Sequence, residues 1–199
     1  ATLVLLYTGM EVMVVQARPL WNTALLPLIF AVTAMTGGIG MTALFEALTG
    51  NLKSAPLLNQ WLARGVWVTL VLLGLWLISG LLGTSTATHE ALAAMRASFG
   101  WLVTGGWLVG STLLTLWLAR NHRNSLVMPA LLALHGAWLI RWIVFIGGQS
   151  LPKMGSASHS YTLTLTPESL LGIVGMAGLC LTLYIILTSL IPWDDQASA

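Results

Sequence analysis

The sequence predicts an all-α integral membrane protein with five complete transmembrane helices and one partial helix at its N-terminus. Hydrophobic residues make up 57% of the chain and charged residues 7%, against about 25% charged in an ordinary soluble domain. Mean hydropathy is +0.86. Apolar runs recur at 22–48, 61–83, 101–119, 126–148 and 169–191, each close to the roughly 20 residues that cross a bilayer core.

Residues 1–16 read as the end of a further helix, truncated because the apolar run starts abruptly on Ala1 without an initiator Met and is shorter than a span. A signal peptide does not fit, since no basic residue precedes the run and Glu11 interrupts it. Arg18-Pro19 breaks the chain before 22–48, where Gly37, Gly38 and Gly40 offer small surfaces for close helix approach. The loop at 84–100 contains HEALAAMRASFGW, suited to a short interfacial helix before Trp101. In the next run Gly106 and Gly110 form GxxxG, the run after it stops at Gly147-Gly148, and the last carries Gly172, Gly175 and Gly178 along one helix.

Charge sets a weak orientation. Lys53, Arg64, Arg120 and Arg123 flank one side with Asp194 and Asp195, while Arg18, Arg96 and Lys153 flank the other. The first side is then cytoplasmic, and the 17–21 turn and the loops at 84–100 and 149–168 face out. Five of the ten tryptophans, Trp21, Trp61, Trp101, Trp117 and Trp193, sit at span ends as interfacial anchors. Trp67, Trp76, Trp107, Trp138 and Trp142 lie deeper and read as core packing or, alternatively, as the lining of a cavity. With a net charge of +2 and no basic run, nucleic acid is not a partner; membrane lipid is.

Several chemistries lack their parts. The single cysteine, Cys180, in an apolar run, reads as a small buried residue and builds neither a disulfide nor a Cys-ligated cluster. Only His135 among four histidines lies inside a span, so no bis-histidine haem is expected in this chain. There is no HExxH or GxSxG for metal or serine hydrolysis.

The informative residues are the ionisable ones inside apolar runs, which are usually functional or paired. Glu11 precedes the Arg18-Pro19 break and Arg141 precedes the Gly147-Gly148 pair, so each lies roughly 9 to 11 Å inside its helix end at 1.5 Å rise per residue. Tyr7 precedes Glu11 by four residues, so the two share a helical face and offer a hydrogen-bond donor beside a carboxylate. Burial is expected to raise the Glu11 pKa, which suits a proton relay. Pairing with a basic group to hold helices together is the alternative for Glu11. His135 reads either as a proton-handling group or as a histidine hydrogen-bonded between helices. Glu46 and Arg64 flank one short loop and are expected to pair.

Residues 6–27, LYTGMEVMVVQARPLWNTALLP, the GGIG that follows, residues 139–154, LIRWIVFIGGQSLPKM, and the ESLLGIVGMAG run at 168–178 resemble the polysulfide reductase membrane-subunit (NrfD-like) family. The resemblance implies part of a double four-helix-bundle architecture. Residues 1–48 would supply the last two helices of a quinone-binding bundle, 49–60 a loop, 61–191 a second four-helix bundle and 192–199 a polar tail. It further implies a membrane subunit of a molybdopterin oxidoreductase complex in the bacterial inner membrane, exchanging electrons between quinol and an external iron-sulfur subunit in anaerobic respiration. Menaquinone or ubiquinone would be the bound substrate, with no haem or iron-sulfur cluster in this chain. The partners would be a ferredoxin-like iron-sulfur subunit and a molybdopterin catalytic subunit. Tyr7 matches the tyrosine of the family's YTG motif at the quinone pocket, and Glu11 stands beside it. Arg141 and His135 join Glu11 as proton-transfer candidates, and Arg18, Gln149 and Lys153 are docking candidates. A secondary transporter using Glu11 and Arg141, or a structural anchor without a quinone site, remains open on the residues alone.

Overall fold

The computed structural model describes residues 2–50, 53–122, 125–151 and 170–190, all helical or in short connections. The helices are α1 (Thr2–Met13), α2 (Leu26–Leu48), α3 (Ala55–Leu81), α4 (Thr86–Arg96), α5 (Phe99–Asn121), α6 (Val127–Trp142), α7 (Gly148–Ser150) and α8 (Leu170–Leu190). A π-helical segment, Ile143–Gly147, joins α6 to α7 without a break. Four helices are long and apolar enough to cross a membrane: Leu26–Leu48, Ala55–Leu81, Phe99–Asn121 and Val127–Ser150. At 1.5 Å per residue, 23 to 27 residues reach about 35 to 40 Å, more than the roughly 30 Å hydrocarbon core. Five complete spans were expected. The apolar stretch Leu171–Ile186 is shorter than the other four, so among the described residues the count established is four.

Local chemistry sets the boundaries. Proline stands in the first turn of both α2 and α3, where its missing N–H costs no helical hydrogen bond. The Ser85 hydroxyl accepts from Thr88 N–H to cap α4. At the end of α3 Gly83 takes φ +65°, and Thr84 N–H reaches back to Ser79 O at 3.1 Å. That bond closes a left-handed helix terminus that glycine adopts without a Cβ penalty.

The helices α2, α3, α5 and α6 form a ring in which each packs on its two neighbours, and α1 packs on the outside of α2. Packing of α2 on α3 and α6 therefore runs across the loop expected at 49–60. Small residues make the close approaches, since lipid supplies no hydrophobic drive between helices. A methyl on Gly40 would lie 3.1 Å from Ala130 O, one on Gly37 would lie 3.3 Å from Ala137 Cβ, and one on Gly65 would lie 2.7 Å from Thr36 Oγ1. Gly9 sits against the Pro27 backbone in the same way. Gly106 and Gly110 do not: a methyl at either meets nothing within 4 Å, so this GxxxG makes no close helix contact among the described residues.

The interior is layered. Towards the 17–21 turn lies an apolar cluster that includes Leu20, Leu26, Ile29, Phe30, Leu108, Ile140 and Val144. Towards the other end lie Leu62, Ala63, Ala119 and Ala133. A small cavity of about 20 Å³, lined by Thr33, Thr36, Thr69, Thr112 and Thr115, lies within the ring. α8 belongs to a separate unit, within which Cys180 is exposed.

Candidate functional site

On α1, Gly9 faces α2, and Tyr7 and Glu11, each two residues from it and about 200° round the helix, occupy the opposite face. The Tyr7 hydroxyl donates to Glu11 Oε1. Tyr7 is 57% exposed and Glu11 is exposed, so the pair is not covered by other described side chains. Among the described residues the partner of Glu11 is the phenol and not a basic group. What the pair offers is a phenolic oxygen open to accept a proton and a carboxylate positioned to receive the phenol's own.

Arg141 points into the ring. Its Nη1 donates to Ala137 O at 2.8 Å and Thr33 Oγ1 at 3.4 Å, and Nη2 donates to Phe30 O at 3.4 Å. Its Cζ lies 5.4 Å from the centre of the Phe30 ring. The guanidinium thus ties α6 to α2 through carbonyl and hydroxyl oxygens and an aromatic face.

His135 lies between helices. Trp107 Nε1 donates to His135 Nε2 at 2.8 Å, which fixes Nε2 as the acceptor and leaves the ring proton on Nδ1. The ring also stacks near Trp138, which stacks on Trp142. Six residues along one helix place His135 and Arg141 about 9 Å apart in rise and about 240° apart in direction. They do not share a face.

Arg18, a docking candidate on the sequence, turns towards its own chain. Its Nη1 donates to Gly148 O, Gln149 O and Leu151 O at 3.0 to 3.3 Å, satisfying carbonyls at the end of the α6–α7 helix that have no partner within the helix. Gln149 is exposed and contributes its backbone oxygen to that contact. Lys153 lies outside the described residues. Beside Arg18, Trp21 Nε1 donates to Val144 O at 2.6 Å, so Trp21 is a packed hydrogen-bond donor. Gly147 and Gly148 do not stop the helix. They make room for Trp101 and Trp21, whose rings occupy the space a side chain would take. Nor do Glu46 and Arg64 pair among the described residues: Glu46 Oε2 is buried without a hydrogen-bond partner, and Arg64 lies over the Trp61 ring.

Sequence reasoning missed three features. Asn59, fully buried, donates through Nδ2 to Ser125 O at 3.0 Å and ties the start of α3 to the α5–α6 connection. The threonine cavity had a visible signal in Thr33 and Thr36, and in Ser111, Thr112 and Thr115, at helical spacing within apolar runs. An apolar slot of about 270 Å³ is walled by residues of α2, α3, α4, α5 and α6, Trp76, Trp101, Gly105 and Gly106 among them; Tyr7 and Glu11 are not.

Together these features define a multi-pass membrane protein with a ring of four spanning helices and an exposed phenol–carboxylate pair on the helix beside it. Residues 1–153 match the family described as "Polysulphide reductase, NrfD", and the chain belongs to that family. The C subunit of tetrathionate reductase from Salmonella typhimurium (strain LT2) is 31% identical over 194 residues, an alignment covering 92% of this chain and 54% of that protein. The chain spans about half the length of this relative.

Proposed function

We propose that this chain is the membrane subunit of a reductase complex that oxidises quinol, with Tyr7 and Glu11 taking the proton. The observation that carries the reading is the Tyr7-to-Glu11 hydrogen bond on the exposed face of α1, within a chain of the NrfD family. A quinol, menaquinol or ubiquinol, gives up two electrons and two protons on becoming quinone. Tyr7 oxygen accepts a proton from one quinol hydroxyl as its own proton passes to Glu11, and the second hydroxyl's proton follows the same path after Glu11 has released the first to water. The electrons leave to a ferredoxin-like iron-sulfur subunit and from there to a molybdopterin catalytic subunit. Arg141 and His135, held in separate contacts on different faces of α6, serve the ring's packing in this scheme.

The test is quinol-dependent reduction of the iron-sulfur subunit in membranes holding equally assembled complexes of wild type, Glu11→Gln and Tyr7→Phe. Loss of about 10²-fold or more in rate is expected for Glu11→Gln, the lower range for a general base. A normal rate in both variants would refute the assignment. Loss of assembly instead of rate points to a structural anchor, and solute flux without a redox partner points to a transporter.

A further inference from the structure

Along α3 and α5, at the end where α3 begins, lies a groove of about 800 Å³. Leu57, Trp67 and Val68 give it apolar walls, and Gln60, Arg64 and Arg120 supply its polar groups. Trp67 is 52% exposed, and both arginines are exposed. Arg64 is held in place by the Trp61 ring, 5.0 Å from its Cζ. Neither arginine is ion-paired among the described residues. The groove therefore brings two guanidinium groups to a wall of apolar and indole surface near the end of two spanning helices.

We infer that this groove binds an anionic phospholipid, its phosphate held by Arg64 and Arg120 and an acyl chain laid along Leu57, Trp67 and Val68. A cleft open to hydrocarbon fills with acyl chain, because an empty one forfeits dispersion contacts with its walls. Guanidinium forks match phosphate oxygens in pairs, and basic pockets between transmembrane helices select anionic headgroups. Tryptophan suits the boundary between headgroup and chain. Charge complementarity decides for an anionic lipid over a zwitterionic one, whose own cation would face the arginines.

The intact complex, extracted in mild detergent from membranes of known composition, is analysed for co-purifying lipid by mass spectrometry. Phosphatidylglycerol is expected to be enriched over the bulk membrane on the order of tenfold, and the R64Q/R120Q double variant to return to the bulk ratio. Absence of enrichment in wild type, or enrichment unchanged in the double variant, overturns the inference and leaves the arginines as interfacial side chains. Should the double variant fail to assemble, delipidated wild-type complex decides: its thermal midpoint rises with added phosphatidylglycerol and not with phosphatidylcholine. An equal rise with both overturns the inference.

Discussion

Replacing Gly148 with alanine asks whether the end of the continuous α6–α7 helix is a socket for an indole ring. A methyl there would overlap the Trp21 indole nitrogen and lie 2.6 Å from Cε2. The ring cannot swing aside cheaply, because Nε1 is bonded to Val144 O at 2.6 Å and Arg18 lies 5.7 Å above the ring. Overpacking costs about 1 to 3 kcal/mol, and stripping the donor from the buried Val144 carbonyl costs about 1 to 3 kcal/mol more. Gly38→Ala is the control: its methyl meets nothing within 4 Å, and alanine in a helix gains about 0.5 to 1 kcal/mol over glycine. The assay is the thermal midpoint of the purified protein in detergent, followed by near-ultraviolet circular dichroism. At about 2 to 4 °C per kcal/mol for a chain of this size, Gly148→Ala falls by about 4 °C or more, and Gly38→Ala does not fall. Equal midpoints for the two variants would refute the socket.

Arg18→Ala removes the donor to three carbonyls and should cost about 1.5 to 3 kcal/mol, as for hydrogen bonds to charged groups; protease cleavage near 148–151 in the variant, absent from wild type, reports the loosened end. Trp107→Phe keeps an aromatic ring and deletes the bond to His135, a loss of about 0.6 kcal/mol and no more than about 2, read as a small fall in the same midpoint. Gly83→Ala forces a Cβ into a left-handed conformation and should cost about 1 to 2 kcal/mol, whereas Gly110→Ala, facing open space, should not destabilise.

The helices were legible because hydropathy and length are properties of a single segment: α2, α3, α5 and α6 fall within a few residues of the apolar runs, and α4 fills the loop whose Ala and Leu content foretold it. Contacts between segments were legible only in part. Tyr7 and Glu11 met because i and i+4 share a face. The contacts of Arg18 could not be read, since the carbonyls it satisfies begin 130 residues away in sequence. Gly147-Gly148 looked like a stop because glycine ends helices, and only the positions of Trp21 and Trp101 show that here it admits a ring. Glu46 and Arg64 were close in sequence, but Arg64 found the indole of Trp61 on its own helix.

The layering of the ring bears on where proton chemistry belongs. Thr33, Thr36, Thr69, Thr112 and Thr115 each donate to a carbonyl four residues earlier on their own helix, so their protons are already committed and their oxygens face the cavity as acceptors. A volume of about 20 Å³ exceeds the roughly 10 to 15 Å³ that one water needs, and a water there would donate to those oxygens. Apolar clusters lie on both sides of this layer. A proton crossing the ring in this conformation would have to pass both without polar partners, at the cost that attends any charge in an apolar medium. The Tyr7–Glu11 pair lies outside the ring, on the face of α1 turned away from α2, so a proton handed to it need not cross the ring's two apolar layers, and for that reason the proposed quinol chemistry is assigned to α1.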